Sequence, residues 1–393
     1  MKLQDLQKIN DECFFTLHSR LPIMIVKGKG VYMWDENGKE YLDFCSGGRA
    51  VCGLGHCPES VVNAIKEQAD VLLHTSNDFY TEPQFKLAKL LVENSDFDKV
   101  FFCNSGAEAN EAALKLARKY GRAKNKGKIE IVSTLKSFHG RTFGAITATG
   151  QPKYQEDFAP LVPGFKYVPY NDIEAMREVI NENTCAVIIE PVQGESGVYI
   201  ADKEYMLSLR ELCDKFDVAL IVDEVQAGLG RTGKLFAYQH YGILPDIMTL
   251  SKSIGGGVPL GAMMANDKVG SAFKPGDHAT TFGGSPIVAV AGIAAISTII
   301  DEKLADNAKM IGEYISEKID KLSNQALIKE KRVLGCMIAI DLNEPKAAEI
   351  QAKALENGLV ILTVGDSILR LLPALIIKKE DVDKAFDILN KII

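Results

Sequence analysis

Residues 247–257 read Ile-Met-Thr-Leu-Ser-Lys-Ser-Ile-Gly-Gly-Gly, and the order of apolar, charged and glycine residues here decides the fold. The first four residues form an almost wholly apolar run, which is typical of a strand buried on both faces. Lys252 stands between that run and three glycines, which let the backbone approach a ligand closely. Burial at this point would lower the pKa of the lysine and make its amine a nucleophile. The alternative, a strand-end lysine that reaches solvent, stays open at this stage.

Similar apolar runs occur along the chain, and helical patterns separate most of them. They lie at residues 99–102, 129–132, 186–189, 219–222 and 261–264. Continuous apolar strands that alternate with helices predict an α/β fold with a mostly parallel sheet. In such sheets ligands bind beyond the carboxyl ends of the strands.

The chain divides by pattern into three parts. Residues 1–45 begin with a helix and a hairpin, residues 46–298 contain the alternating pattern, and residues 299–393 contain helices and short strands. We therefore expect a large α/β domain at 46–298 and a small α+β domain at 299–393. The N-terminal segment 1–45 is expected to pack with the small domain.

The composition excludes several classes of protein. Of the 393 residues, 47% are hydrophobic and 25% are charged, as in ordinary globular proteins, and the net charge of -7 argues against a nucleic-acid partner. Apolar runs long enough to span a bilayer are absent, so no membrane partner is expected. The scattered cysteines predict neither a metal site nor disulfides, and no signal-peptide pattern is seen. A cytoplasmic location is expected.

Two further strand ends carry polar groups. Ser105, Gly106 and Ala107 follow the strand at 99–102 and open a helix, so their backbone amides could bind an anion; an ordinary N-cap is the alternative. Asp223 follows the strand at 219–222, where a buried carboxylate requires a partner. A protonated ring nitrogen is one such partner, and a helix cap or ion pair is the alternative.

Phe138 and Arg141 follow a fourth strand, at 129–132. The phenylalanine offers an aromatic plate, meaning a ring that could stack on a ligand, and the arginine offers a group that binds carboxylates. Core packing is the alternative for Phe138, and His139 between them is interpreted as a supporting or structural residue. Taken together, the four strand ends provide a phosphate site, a plate, a carboxylate for a ring nitrogen and a lysine. Those are the groups that pyridoxal phosphate (PLP) requires.

At this point the sequence resembles the class-III PLP-dependent aminotransferases of the acetylornithine/ornithine branch, from about residue 22 to the end. The resemblance implies fold type I, with a mostly parallel seven-stranded sheet in the large domain and a small α+β domain. The matching segments are 104–113 (NSGAEANEAA), 138–142 (FHGRT), 190–195 (EPVQGE), 223–233 (DEVQAGLGRTG), 251–252 (SK), 281–284 (TFGG) and 369–373 (LRLLP).

The resemblance implies two catalytic residues. Lys252 would bind the cofactor covalently and move a proton between the substrate carbon and the cofactor, and Asp223 would pair with the ring nitrogen. Thr281 would reach the phosphate of a partner subunit, which implies a homodimer with active sites at the subunit interface. The implied cofactor-binding residues are Ser105, Gly106, Ala107, Phe138, Glu190, Asp223, Gln226, Lys252 and Thr281.

The resemblance also implies two small-molecule substrates, an amine donor and 2-oxoglutarate. Arg141 would bind the distal carboxylate of the substrate, and Thr280 would contact the substrate. Glu195 would mask Arg370 while the donor is bound and release it to the α-carboxylate of 2-oxoglutarate. No metal is implied.

Residues 74–84 resemble the acetylornithine branch, which favours N-acetylornithine as the donor. The chain departs from the family pattern at Arg49, Cys52, Thr280 and Ser285, where isoleucine, asparagine, serine and asparagine are usual. Since residues 48–56 are expected to border the substrate entrance, ornithine, succinylornithine, 4-aminobutyrate or a putrescine-type diamine stay open as donors. An intramolecular aminomutase and a non-catalytic PLP-binding regulator are further alternatives. An NAD-dependent oxidoreductase is disfavoured because no GxGxxG motif follows a strand.

Overall fold

The computed structural model describes residues 1–393. The N-terminal part contains one helix and an antiparallel run of three strands: α1 (Leu3–Cys13), β1 (Ile25–Lys29), β2 (Tyr32–Asp35) and β3 (Glu40–Asp43). Helix α1 buries none of its residues against the rest of this chain.

The middle of the chain forms the large α/β part. Its helices are α2 (Glu59–Ala69), α3 (Glu82–Glu93), α4 (Gly106–Lys124), α5 (Phe143–Ala148), α6 (Ile173–Val179), α7 (Lys203–Lys215), α8 (Asp267–Gly270) and α9 (Pro286–Asp301). Its strands are β4 (Lys99–Cys103), β5 (Glu130–Thr134), β6 (Phe165–Val168), β7 (Thr184–Ile189), β8 (Val192–Gln193), β9 (Tyr199–Ile200), β10 (Ala219–Asp223), β11 (Ile247–Leu250) and β12 (Gly261–Ala265).

Seven of these strands form one sheet in the order β4-β12-β11-β10-β7-β5-β6. The neighbours from β11 to β6 are parallel, and β12 is antiparallel to both β11 and β4. Six strands therefore run in one direction, and their carboxyl ends meet at one edge of the sheet. The mostly parallel seven-stranded sheet expected from the resemblance is confirmed.

Both faces of this sheet are buried, which explains the unbroken apolar runs. Ile188 and Ile221 pack with residues of α4 on one face, while Val187 and Val222 belong to the larger core on the other. Because neighbouring residues of a strand point to opposite faces, a strand covered on both sides needs apolar residues at every position.

The C-terminal part contains three helices and five strands: α10 (Leu304–Ile319), β13 (Ile328–Leu334), β14 (Met337–Leu342), α11 (Ala347–Glu356), β15 (Leu359–Val360), β16 (Leu362–Val364), β17 (Ile368–Leu371) and α12 (Lys379–Ile392). Four strands form a sheet in the order β13-β14-β17-β16, and β15 instead pairs in parallel with β3 of the N-terminal part. The domain boundaries at 45/46 and 298/299 stay a prediction, and α9 runs across the second of them.

Residues 359–363 read as one mostly apolar run, but in the structure they form two short strands separated by Ile361. The chain leaves the sheet of β3 there and enters the sheet of β17, so one apolar run serves two sheets. Strands β6 and β13 were not predicted. Both lie at sheet edges and carry lysine, a residue that edge strands often use against further pairing.

None of the helices combines the length and the apolar character that crossing a membrane requires.

Candidate active site

A cavity of about 270 Å³ lies at the carboxyl edge of the seven-stranded sheet. Nine of the thirteen residues predicted for the site line it. The lining residues are Gly106, Ala107, Asn110, Phe138, His139, Gly140, Arg141, Glu190, Val192, Glu195, Asp223, Val225, Gln226, Ser251 and Lys252. The strand ends therefore converge as the pattern predicted. Below, the inner wall means Asn110, His139, Asp223 and Lys252, and the mouth means Arg49, Arg141 and Glu195.

Asp223 ends β10 and is buried in the inner wall. Its Oδ2 accepts a hydrogen bond from Asn110 Nδ2 at 2.8 Å and lies 2.7 Å from His139 Nδ1, which donates to it. Its Oδ1 accepts from the Val225 amide at 2.9 Å. Three donors thus hold the carboxylate in one orientation in an otherwise apolar strand end.

Sequence reasoning did not assign Asn110 to the site and treated His139 as a supporting residue. Asn110 lies on α4 and also receives a hydrogen bond from Thr249 Oγ1 at 2.8 Å, which joins helix and sheet. The available signal was its spacing to Ala113 and Ala117, three and seven residues further along the helix, which places Asn110 on the apolar, buried face. Only the tertiary structure shows that this face meets β10.

Lys252 follows β11 and opens the glycine run, with a backbone φ of +50°. This left-handed conformation is uncommon for a residue other than glycine. Such conformations cluster at functional sites. Burial lowers the pKa of Lys252 to about 8, partly opposed by the negative charges of Glu195 and Asp223. Near neutral pH the amine is therefore unprotonated far more often than that of an ordinary lysine, and the unprotonated form is the one that attacks a carbonyl.

The first turn of α4 has the geometry expected of the predicted anion site. Ser105 is the N-cap, and its Oγ accepts from the Glu108 amide at 3.2 Å. The amides of Gly106 and Ala107 precede the first intrahelical hydrogen bonds and are free to bind an anion. A Cβ on Gly106 would lie 2.6 Å from Val225 Cγ1, so glycine is needed for the close approach of this turn to the end of β10.

Phe138 and Glu190 form a side of the cavity between β5 and β7. Glu190 is buried, and its Oε2 accepts from the Phe138 amide at 3.0 Å, which fixes the start of the 138–141 segment. Burial and the nearby Asp223 raise the pKa of Glu190 well above its usual range. Phe138 itself is half-buried, and its side chain lines the cavity.

Arg141 lies at the mouth and is exposed. Its guanidinium carbon lies 3.9 Å from the centre of the Tyr154 ring and 5.6 Å from that of Phe138. These aromatic contacts hold the arginine at the mouth and leave its N–H groups free for a carboxylate.

Glu195 lies in the loop between β8 and β9, and Arg370 enters from β17 of the C-terminal sheet. Glu195 Oε1 accepts hydrogen bonds from Arg370 Nη1 at 2.9 Å and Gln226 Nε2 at 3.1 Å. Burial opposes the ionisation of Glu195, but the positive charges of Arg370, Lys252 and Arg49 outweigh it and lower the pKa to about 2. Arg370 is buried and also donates to the Gly194 carbonyl at 2.6 Å.

Thr280 and Thr281 do not line this cavity. Thr280 borders a second depression with Asn77, Gln84 and Phe85, and its Oγ1 accepts from Asn104 Nδ2 at 3.4 Å. Thr281 is exposed on this chain. Within a single subunit, therefore, these two predicted residues are separate from the other site residues.

The family assignment follows from comparison with known proteins. The model of the class-III aminotransferase family matches residues 16–393. The chain belongs to the class-III aminotransferases. The family predicted from the sequence motifs is thereby confirmed.

Close relatives of this class-III aminotransferase are curated as acetylornithine aminotransferases. That of Caldanaerobacter subterraneus subsp. tengcongensis is 49% identical over 378 residues, covering 96% of each chain. That of Methanocaldococcus jannaschii is 50% identical over 380 residues, covering 96% of this chain and 94% of the relative.

Solved structures share the fold over the whole chain. The ornithine aminotransferase of Toxoplasma gondii ME49 has a TM-score of 0.96 at 32% identity and covers 100% of this chain and 94% of its own. The acetylornithine aminotransferase of Elizabethkingia anophelis has a TM-score of 0.89 at 34% identity and covers 100% and 99%.

Membership of this family confirms PLP as the cofactor. The residues present fit it. The cavity offers free helix amides for a phosphate, a carboxylate for a ring nitrogen and a lysine with a lowered pKa. In addition, the Gln226 side chain lines the same cavity, and its buried Oε1 has no hydrogen-bond partner within the protein.

Proposed function

We propose that this aminotransferase moves the terminal amino group of N-acetylornithine to 2-oxoglutarate, which gives the semialdehyde and glutamate. One observation carries the proposal: the cavity has a free arginine at its mouth, Arg141, and Glu195, which also lines the cavity, masks a second arginine, Arg370, that is buried behind it. Such a site can accept a donor with one free carboxylate and an acceptor with two. The names of the relatives at 49% and 50% identity support the choice of donor.

PLP, when bound, supplies a carbonyl group that receives the amino group and a ring that accepts electrons from the substrate. We propose that Lys252 Nζ holds the cofactor and then moves the proton at the reacting substrate carbon. Its position at the end of β11 and its pKa of about 8 support both tasks, because the amine can act as base and acid near neutral pH.

Asp223 is proposed to keep a proton on the ring nitrogen of the cofactor. The hydrogen bonds from Asn110 and His139 support this role, because both stabilise the ionised carboxylate that the protonated nitrogen needs. Ser105, Gly106 and Ala107 are proposed to bind the phosphate. Phe138 is proposed to stack on the ring, with Glu190 positioning it and Gln226 contacting the phenolic oxygen.

Substrate selection is proposed to depend on charge. Arg141 would bind the distal carboxylate of the donor and so place the terminal amine, instead of the α-amine, at the cofactor. While the donor is bound, Glu195 would neutralise Arg370. When 2-oxoglutarate enters, Glu195 would leave Arg370, which then binds the second carboxylate.

The active unit is proposed to be a homodimer. The depression beside Thr280 is bordered by the exposed Phe85, and the exposed Phe282 follows Thr281 in the chain; a second copy would cover both rings. In that dimer Thr281 would reach the phosphate of the partner's cofactor and Thr280 would contact its substrate. A cytoplasmic location stays a prediction.

A donor panel tests the proposed function. Purified PLP-loaded enzyme is given 2-oxoglutarate with N-acetylornithine, succinylornithine, ornithine, 4-aminobutyrate, putrescine or lysine, and glutamate is measured. A clear kcat/KM preference for N-acetylornithine is expected. Preference for a free diamine would assign the chain to another branch of the family. Turnover without an oxo acid would indicate an aminomutase. PLP binding without any turnover would indicate a regulator.

A further inference from the structure

A short loop at the mouth contains an arginine, Arg49, that the proposed mechanism does not use. Residues 46–50 read Ser-Gly-Gly-Arg-Ala and have left-handed backbone conformations throughout, with φ of 64° at Arg49. Arg49 Nη1 lies 3.5 Å from Glu195 Oε2. Glu195 is therefore placed between two arginines, with Oε1 toward the buried Arg370 and Oε2 toward the exposed Arg49.

Hydrogen bonds on both sides of Arg49 hold the loop, so the fold sets where the backbone presents this side chain. Asp43 accepts hydrogen bonds from the amides of Cys45 at 2.7 Å and Gly47 at 2.6 Å. At its far end, the carbonyl of Ala50 accepts from Ser253 Oγ at 3.1 Å, next to Lys252. An unusual backbone that several hydrogen bonds maintain is typical of functional segments.

The three side chains differ sharply in exposure: 62% for Arg49, 15% for Glu195 and 2% for Arg370. When Arg370 turns to an incoming carboxylate, Glu195 would lose its inner partner while a second negative charge arrives beside it. An uncompensated carboxylate in such a place is costly. Arg49 offers Glu195 a cationic partner nearer to solvent.

The distances from Glu195 to its two arginines show that the interaction with Arg49 can become stronger. Arg370 and Glu195 are within hydrogen-bond distance at 2.9 Å, whereas Arg49 and Glu195, at 3.5 Å, are farther apart than the roughly 2.7–2.9 Å of a charge-assisted hydrogen bond. An outward turn of Glu195 would shorten the second distance while it breaks the first. Arg49 thus interacts more strongly with the released form of Glu195 than with the masking form, and it favours release.

We propose that Arg49 is a positioning residue that draws Glu195 away from Arg370 and thereby promotes binding of the dicarboxylate acceptor. This inference rests on the proposed function, in which Glu195 masks Arg370. Arg49 acts through Glu195 and does not bind the substrate itself. Its effect belongs to the acceptor half of the reaction and leaves the donor half nearly unaltered.

The test compares the two halves of the reaction in PLP-loaded Arg49→Met, which removes the charge without adding a branched side chain to a left-handed residue. Each half is followed by cofactor absorbance: N-acetylornithine is added to the PLP-loaded enzyme for the first half, and 2-oxoglutarate is added for the second half to enzyme whose cofactor already carries the amino group from the donor. The second-order rate constant for 2-oxoglutarate should fall about two- to fivefold, as for the loss of an exposed ion pair, while the donor half changes less than about 1.5-fold. Arg49→Lys should restore most of the loss.

An equilibrium measurement gives a second readout. Glutarate, which has both carboxylates but no reactive oxo group, is titrated into the same variants by calorimetry, and Arg49→Met should weaken its binding by the same factor. In the Glu195→Gln background the effect of Arg49→Met should disappear, because the group through which Arg49 acts is gone. Arg177→Met, on the exposed face of α6, removes the same surface charge elsewhere and is the matched control.

Every outcome of these measurements either supports or overturns the proposal. A loss that persists in the Glu195→Gln background would mean that Arg49 binds the acceptor directly, and the proposal would be wrong. An equal loss in both halves, or none in either, would also overturn it while the proposed function stands. If wild-type enzyme forms no glutamate from any donor and 2-oxoglutarate, the proposed function fails, and this inference fails with it.

Discussion

At the inner wall of the cavity, Asp223 is buried and receives hydrogen bonds from Asn110 and His139, whereas at the mouth Arg141 and Arg49 are exposed. The inner residues come from strand ends and from α4, whose positions the large sheet fixes. The charged groups around the mouth come from loops and from the C-terminal sheet. The residues proposed for the reaction chemistry and those proposed for substrate choice thus belong to separate structural elements, so one set can change without the other.

The largest expected effect lies at the inner wall. Lys252→Ala should lower kcat by more than about 10³-fold for every amine donor, because the nucleophile and proton carrier is lost. The variant should still fold, since burial disfavours the charged lysine that it removes. Glutamate formation and circular dichroism measure the two properties, with Lys126→Ala in an exposed loop as the control. If Lys252→Ala still catalysed transamination, Lys252 would not have its proposed role, and the inner wall would not carry the reaction chemistry.

A smaller and selective effect is expected at the mouth. Arg141→Ala should lower kcat/KM about 10- to 100-fold for donors with a carboxylate, because a charge-assisted hydrogen bond of about 1.5–3 kcal/mol is lost. Simple amines should lose much less. Steady-state kinetics with N-acetylornithine and putrescine measure the ratio, and Arg122→Ala is the control. Equal losses for both amines would show that Arg141 does not select the carboxylate.

The smallest expected effect concerns stability. His56 Nε2 lies 2.8 Å from Asp43 Oδ2, beneath the 46–50 loop, and this hydrogen bond, followed by one to Cys52, raises the pKa of His56 to about 10. Because the pKa is raised in the folded state, the stabilisation is complete below the unfolded value of about 6.5 and is lost as pH rises through about 10.

His56→Gln tests this pair. The free energy of unfolding should fall by about 1–3 kcal/mol at about pH 6 and by well under half of that at about pH 9.5. Urea unfolding of both proteins at the two pH values measures the difference. A loss that is the same at both pH values would mean that the histidine ring, and not its charge, supports the loop.

Much of the fold could be predicted because the central strands are buried on both faces and leave long apolar runs. Strands β6 and β13 could not be predicted, since their exposed edges admit lysine and break the pattern. The split at Ile361 also escaped prediction, because an apolar run does not tell which of two sheets its residues join.

The sequence by itself determined the sheet, the family and the chemical groups at the strand ends, because strand periodicity and motifs are local along the chain. Only the tertiary structure decided how Asn110 and His139 support Asp223, and how Arg49 and Arg370 meet at Glu195. Those contacts join residues up to 175 positions apart. Such pairs depend on how helices, loops and sheets pack, and no local pattern records that packing.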